Sequence, residues 1–241
     1  MKRLHISLIG MAFLLLVSCK EEVEKPKVTY DQTAKAKESI RADSSQIQIA
    51  DLPIQMDGTD YLLHPVADLS IREKGIKARY GSSSVNDLSF TISNYGEYEI
   101  TGYLQNIRFQ KIDSDSIHKL TDKPVLIQTA TYLKSVADKT NNHVMVYTMM
   151  DMDTNKDGKL DTSDIKALYL SDISGGKFTK ISTDFQELID WKLISSKNQL
   201  YYRTVEDTNK NGEFDKNDAV NYYYIDLSNK EWKITGYEPV L

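Results

Sequence analysis

Two stretches concentrate the chemistry of this chain: "DTNKDGKLDTSD" at residues 153–164 and "DTNKNGEFDKND" at 207–218. They agree at seven of twelve positions and lie 54 residues apart. Each places oxygen-bearing side chains at positions 1, 3, 5, 9 and 12 and a glycine at 6. That is the spacing with which a twelve-residue loop wraps a hard cation, the backbone carbonyl of position 7 adding one more ligand and the glycine permitting the sharp turn. The first loop offers Asp153, Asn155, Asp157, the Lys159 carbonyl, Asp161 and Asp164. The second offers Asp207, Asn209, Asn211, the Glu213 carbonyl, Asp215 and Asp218. Position 8 is apolar in both, Leu160 and Phe214, as befits a side chain turned into a core. All-oxygen donors suit Ca²⁺, whereas zinc, copper and iron favour imidazole or thiolate. Two calcium sites are therefore expected. The first, with four ligand carboxylates against three, is expected to be the tighter. Sensors of calcium move pairs of helices, and strand-like sequence flanks these loops, so each ion is expected to act as a structural staple.

Other chemistry is sparse. The histidines beyond residue 18, His64, His118 and His143, have no zinc spacing. There is no nucleophile elbow and no phosphate-cradling glycine loop. Glu187 and Asp190 beside Trp191 do not by themselves define a glycosidase pair, and no catalytic residue is nominated. With 35 acidic against 30 basic residues and no basic face in the pattern, composition argues against a nucleic-acid partner.

The elements around the loops read as strands. From Ile54 onward, short runs rich in Tyr, Val, Ile, Thr and Phe alternate with turn residues, among them "HVMVYTMM", "ALYLSDI", "QLYYRTV" and "VNYYYIDL". An all-β domain is expected over 51–241, with "TDFQELIDWKLIS" as its best helix candidate. The duplication extends past the loops: Tyr169, Asp172 and Ile173 match Tyr223, Asp226 and Leu227 at the same offset of 54. Each repeat, about 144–183 and 198–236, reads as strand, acidic loop, strand, turn and third strand. "NIRFQKIDSDSIHKLTD" at 106–122 has the look of the last two strands without the loop. Tyr222 and Tyr224 would share one strand face and Tyr223 the other.

The N-terminus is a targeting segment. Lys2 and Arg3 precede an apolar run, Leu8–Val17, too short for an ordinary membrane span, which ends in "LVSC" at 16–19. Cys19 is the only cysteine, so no disulfide forms within the chain. Residues 19–50 are rich in Lys, Glu, Ala, Ser and Gln, a composition expected of a flexible tether.

Several resemblances follow from these residues. The acidic twelve-mers resemble EF-hand loops and, with Asp at position 12, the loops of dockerins; dockerins place helices after closely spaced loops, so their cohesin binding is not carried over. "LYLSDISGGKFTKIS" resembles the outer strands of a TolB-type β-propeller blade. The expected architecture is thus repeated antiparallel units, propeller-like and small or incomplete, with a β-sandwich as the alternative. "LVSC" resembles the lipobox of bacterial lipoproteins, which implies cleavage after residue 18 and lipid attachment at Cys19. "KEE" at 20–22 resembles the signal that sends lipoproteins of Bacteroidota to the outer face of the outer membrane. The whole chain resembles Bacteroidota lipoproteins that join a lipobox and tether to a calcium-loop β domain. The resemblance implies a non-enzymatic binding or scaffold module at the outer membrane, surface-exposed or, failing that, facing the periplasm. Its partner would be a protein or a glycan. The alternative is an accessory protein or enzyme for extracellular glycan.

Overall fold

A computed structural model describes residues 26–30, 47–69 and 91–240. In chain order the elements are β1 (Ile47–Ala50), β2 (Ile54–Gln55), β3 (Tyr61–Leu69), β4 (Ser93–Gly96), β5 (Glu99–Leu104), β6 (Asn106–Lys111), β7 (Ile117–Lys119), β8 (Leu126–Tyr132), α1 (Lys134–Thr140), β9 (Val144–Met150), β10 (Lys166–Asp172), β11 (Thr179–Lys180), β12 (Gln186–Ile194), β13 (Gln199–Glu206), β14 (Ala219–Asp226) and β15 (Ile234–Gly236). The expected all-β class is what the chain adopts. Its strands form three antiparallel sheets: β1-β3-β6-β7 with β2 beside β3, then β11-β10-β9-β8-β5-β4, then β12-β13-β14-β15. None closes into a barrel.

The sheets stack as layers, and strand periodicity explains how. Successive side chains of a strand point to opposite faces, and β9, "VMVYTMM", is apolar on both. Met145, Tyr147 and Met149 face the first sheet, where they meet Leu63, Ile107 and Phe109. Val144 and Val146 face the third, with Leu188, Leu200, Tyr202 and Ile225. All seven residues of β9 are buried, which makes the second sheet the middle layer. Sheet-on-sheet burial of this kind matches the β-sandwich alternative.

Both repeats fold as their sequences predict. β9, acidic loop, β10, turn and β11 make one; β13, acidic loop, β14, turn and β15 make the other. Each gains the strand before it, β8 or β12, and so becomes a four-stranded meander. Residues 106–119 form the β6–β7 hairpin of the first sheet, as their likeness to the last two repeat strands predicts. Phe178 packs into the first core and Trp232 into the second. Tyr223 turns inward and stacks on Tyr202 at 5.0 Å. Tyr222 and Tyr224 lie on the outward face, where Tyr237 makes edge contacts with both at 5.9 and 6.2 Å.

One expectation is corrected, and two features go beyond what the sequence predicts. The helix candidate "TDFQELIDWKLIS" is β12. Phe185 takes φ +61, which no helix continues through, and Gln186 and Leu188 alternate inward before a bulge between Leu188 and Asp190 resets the phase. That bulge brings Trp191 and Leu193 against the second core, and it disguises a period of two as something longer. α1 was not anticipated. It spans seven residues, its N-cap Leu133 offers no capping side chain, and it is held by the burial of Val136 and Ala137. Within the span expected to be tether, the described residues are paired with the domain. Ile47–Ala50 pairs with β3, and Pro26–Tyr30 is docked, as described below. The segment expected to be a signal peptide, Cys19 and residues 20–25 and 31–46 lie outside the described residues.

Candidate metal centres

The two acidic loops connect β9 to β10 and β13 to β14, so each is anchored at both ends in a central strand pair. Their hydrogen bonds repeat position by position. In the first loop, Asp153 accepts from the N–H groups of Asp157 at 3.1 Å and Gly158 at 2.8 Å. In the second, Asp207 accepts from Asn211 at 3.2 Å and Gly212 at 2.7 Å. Position 3 accepts from the N–H of position 5: Asn155 from Asp157, and Asn209 from Asn211. Position 5 accepts from position 7: Asp157 from Lys159, and Asn211 from Glu213. Position 9 accepts from position 11: Asp161 from Ser163, and Asp215 from Asn217. Positions 4 and 6 are left-handed in both copies, Lys156 and Lys210 near φ +58 and +57, Gly158 and Gly212 at +86 and +87. Four of the five side-chain acceptor positions that the sequence nominates thus shape each turn.

Position 12 does something further. Asp164 is buried, and its carboxylate closes the first loop by accepting from Thr154 N–H at 2.8 Å through Oδ1 and from Asp161 N–H at 2.9 Å through Oδ2. Asp218 does the same for Thr208 and Asp215 at 3.0 and 2.8 Å, but it is only half-buried. Burial pushes the Asp164 carboxyl above its ordinary range. The N–H donors of Asp161, Thr154 and Asn155 oppose that shift, and the nearby Asp153 carboxylate adds to it.

The donor set is chemically that of a hard-cation site. Among the described residues, no three His, Cys, Asp or Glu side chains are gathered as a metal site in their own right. The four aspartates of the first loop and the three of the second are therefore not drawn onto one point, and the expected ligand set adds to them Asn155, Asn209, Asn211 and the carbonyls of Lys159 and Glu213. Asp157 Oδ2, Asp161 Oδ2 and the Lys159 carbonyl have no partner among the described residues; in the second loop the corresponding atoms are Asp215 Oδ2 and the Glu213 carbonyl. Oxygens held in place by one N–H keep a second lone pair for a cation. Both loops fit Ca²⁺ on this ground, the first with more uncommitted carboxylate oxygen.

Sequence reasoning missed what joins the loops. Pro26–Tyr30 lies across both as a strap. Val28 N–H donates to the Gly212 carbonyl at 3.2 Å, and Thr29 N–H to the Thr154 carbonyl at 2.9 Å. Thr29 Oγ1 donates to the Asn155 carbonyl at 3.0 Å, and Thr154 Oγ1 to the Lys27 carbonyl at 2.8 Å. Val28 is buried. Lys27 pairs with Glu187 at 3.1 Å, and the other Glu187 oxygen takes Lys166 N–H where the first loop ends. Glu187 therefore serves as a brace. Burial, with a hydrogen bond to Asp207 and the charges around it, pushes the Tyr30 phenol up to about 12. One signal for this role was present: position 2 is Thr in both copies. Each hydroxyl receives the N–H of the first residue past its loop, Ile165 at 3.0 Å and Ala219 at 3.2 Å.

No family model, curated protein or solved structure matches this chain.

Proposed function

We infer that this protein is a calcium-stabilised, membrane-anchored β domain that serves as a binding or scaffold module at the outer membrane. The observation that carries the reading is the repeated loop geometry: two copies hold the same acceptors on the same backbone N–H groups, with the same left-handed turns. A cation at each loop would be held by Asp153, Asn155, Asp157, the Lys159 carbonyl, Asp161 and Asp164, or by Asp207, Asn209, Asn211, the Glu213 carbonyl, Asp215 and Asp218. It would neutralise carboxylates that otherwise repel one another across a strand connection.

The strap adds an orientation to this reading. Six residues separate Cys19 from Pro26, a reach of at most about 25 Å when fully extended. A lipid on Cys19 would then hold the loop end of the domain close to the membrane, nearer than the roughly 30 Å of a free thirty-residue tether. Among the described residues no helix is long and apolar enough to cross a membrane.

Two experiments test the two halves. In calorimetric titration with Ca²⁺, the double variant Asp153→Ala/Asp157→Ala is expected to lose more binding heat than Asp207→Ala/Asp215→Ala; equal losses would contradict the ranking of the loops. Cys19→Ala is expected to leave the protein uncleaved or outside the membrane fraction. Its recovery as a mature, membrane-bound lipoprotein would refute the anchor.

A further inference from the structure

The outward face of the first sheet forms one side of a cleft of about 530 Å³, and the 121–126 segment with Gly158–Leu160 of the first acidic loop forms the other. That volume is in the range of small-molecule sites. Its charge is unusual for so acidic a chain. Arg108, Lys119, Lys123 and Lys159 line it against two carboxylates, Asp68 and Asp122. Asp122 is taken by Lys119 at 2.8 Å, and Asp68 accepts from the Gln105 amide. The side chains of Arg108, Lys123 and Lys159 are left with no carboxylate partner among the described residues.

The sheet register sharpens the point. Arg108 stands directly opposite His64 on β3 and directly opposite Lys119 on β7. Like charges placed directly opposite in a sheet destabilise it; Asp122 offsets Lys119 at 2.8 Å, whereas the guanidinium of Arg108 has no carboxylate partner among the described residues. A local cost with no structural return is what a binding site leaves in a free protein.

We propose that this cleft binds a small ligand through an oxyanion, a carboxylate or a phosphate. The planar fork of Arg108 matches two oxygens of such a group, and Lys123 and Lys159 act as point charges around it. Val66, Pro124 and Leu160 give the ligand's carbon skeleton an apolar floor. Lys159 belongs to both sites, since it lines the cleft and its carbonyl is the position-7 donor expected of the first loop. Only on the calcium reading given above does the cation strengthen anion binding, and by linkage the anion then strengthens cation binding.

The test is calorimetry on the full chain in mild detergent at low salt, first in EDTA and then with Ca²⁺. Trigalacturonic acid supplies carboxylates, glucose 6-phosphate a phosphate, and maltotriose is the neutral control. One of the two anions is expected to saturate a single site while maltotriose does not, and which one binds identifies the source of the oxyanion. Arg108→Gln is expected to weaken that binding about tenfold or more, Arg108→Lys less so, and Lys192→Gln on β12 not at all. Because Arg108 is exposed and faces a like charge, an unchanged or higher melting temperature for Arg108→Gln verifies that the variant is folded. Failure of both anions in both buffers, or binding indifferent to Arg108→Gln, overturns the proposal. Arg108-dependent binding that Ca²⁺ does not alter would sustain the cleft and remove only its link to the loop.

Discussion

Gly212→Ala is expected to cost roughly 3–5 kcal/mol of stability, and Gly158→Ala only about 1–2 kcal/mol. The two glycines hold the same position in their loops and nearly the same φ, +87 and +86, so the strain of an L-residue in a left-handed conformation is common to both. What differs is the surroundings. A Cβ on Gly212 would stand 2.4 Å from the Val28 carbonyl oxygen and 2.8 Å from Pro26 Cβ, whereas one on Gly158 would meet nothing within 4 Å. The obstruction at Gly212 is backbone, which cannot swing aside as a side-chain tip would. The strap must therefore lift, and with it go the Val28 to Gly212 hydrogen bond and the burial of Val28. Urea midpoints of the two variants, measured in EDTA, check this. Equal losses would mean that the strap does not hold the second loop.

A second large effect is expected at position 12. Asp164→Ala removes an acceptor that is 1% exposed and leaves the buried Thr154 N–H without its partner. Hydrogen bonds to a charged acceptor are worth about 1.5–3 kcal/mol each, and an orphaned buried donor adds its desolvation cost. A loss of roughly 3–5 kcal/mol is expected in the absence of any metal, against about 1 kcal/mol for Asp218→Ala, whose loop end is open to water. The pH dependence gives an independent readout. The raised Asp164 carboxyl makes the folded state bind more protons than the unfolded one between the ordinary value of 3.8 and the folded value. Its contribution to stability therefore falls as pH rises through that window and is constant above it. Denaturation midpoints across acid pH should lose this slope in Asp164→Ala. A bound cation, favouring the carboxylate, would abolish it in the parent protein too.

The same two residues show how far the sequence could be read. The loops were legible because their chemistry is local: turn geometry, acceptor spacing and the glycine at position 6 are all set within twelve residues. The repeated strands were legible for the same reason, since short runs rich in Val, Tyr, Thr and Ile between turn residues, such as "VMVYTMM" and "VNYYYIDL", need no knowledge of partners. β12 was not, because a bulge after Leu188 breaks the alternation on which a strand is recognised. α1 was not, because seven residues without a capping side chain carry too little propensity to announce a helix and owe their structure to buried Val136 and Ala137. The strap was the least legible element. Lys27, Val28 and Thr29 bond to residues more than 120 positions away, in a segment whose composition reads as solvated chain. The cleft shares that difficulty, since Arg108, Lys123 and Lys159 are brought together only by the stacking of a hairpin against a loop.

The central claim is that cations brace the paired loops, and the most direct test is the melting curve of the chain beginning at Lys20, in excess EDTA and then with about 1 mM Ca²⁺ or Mg²⁺. Extracellular modules bind Ca²⁺ with dissociation constants of about 10⁻⁴ to 10⁻³ M, and at the tighter limit each ion adds about 1.4 kcal/mol. Two ions should raise the melting temperature by roughly 5–10 °C in a domain of this size. Mg²⁺, which demands a small and rigid octahedron, should do much less. A rise with Ca²⁺ alone is the result this account predicts. A melting curve indifferent to Ca²⁺, or one raised equally by Mg²⁺, would contradict it.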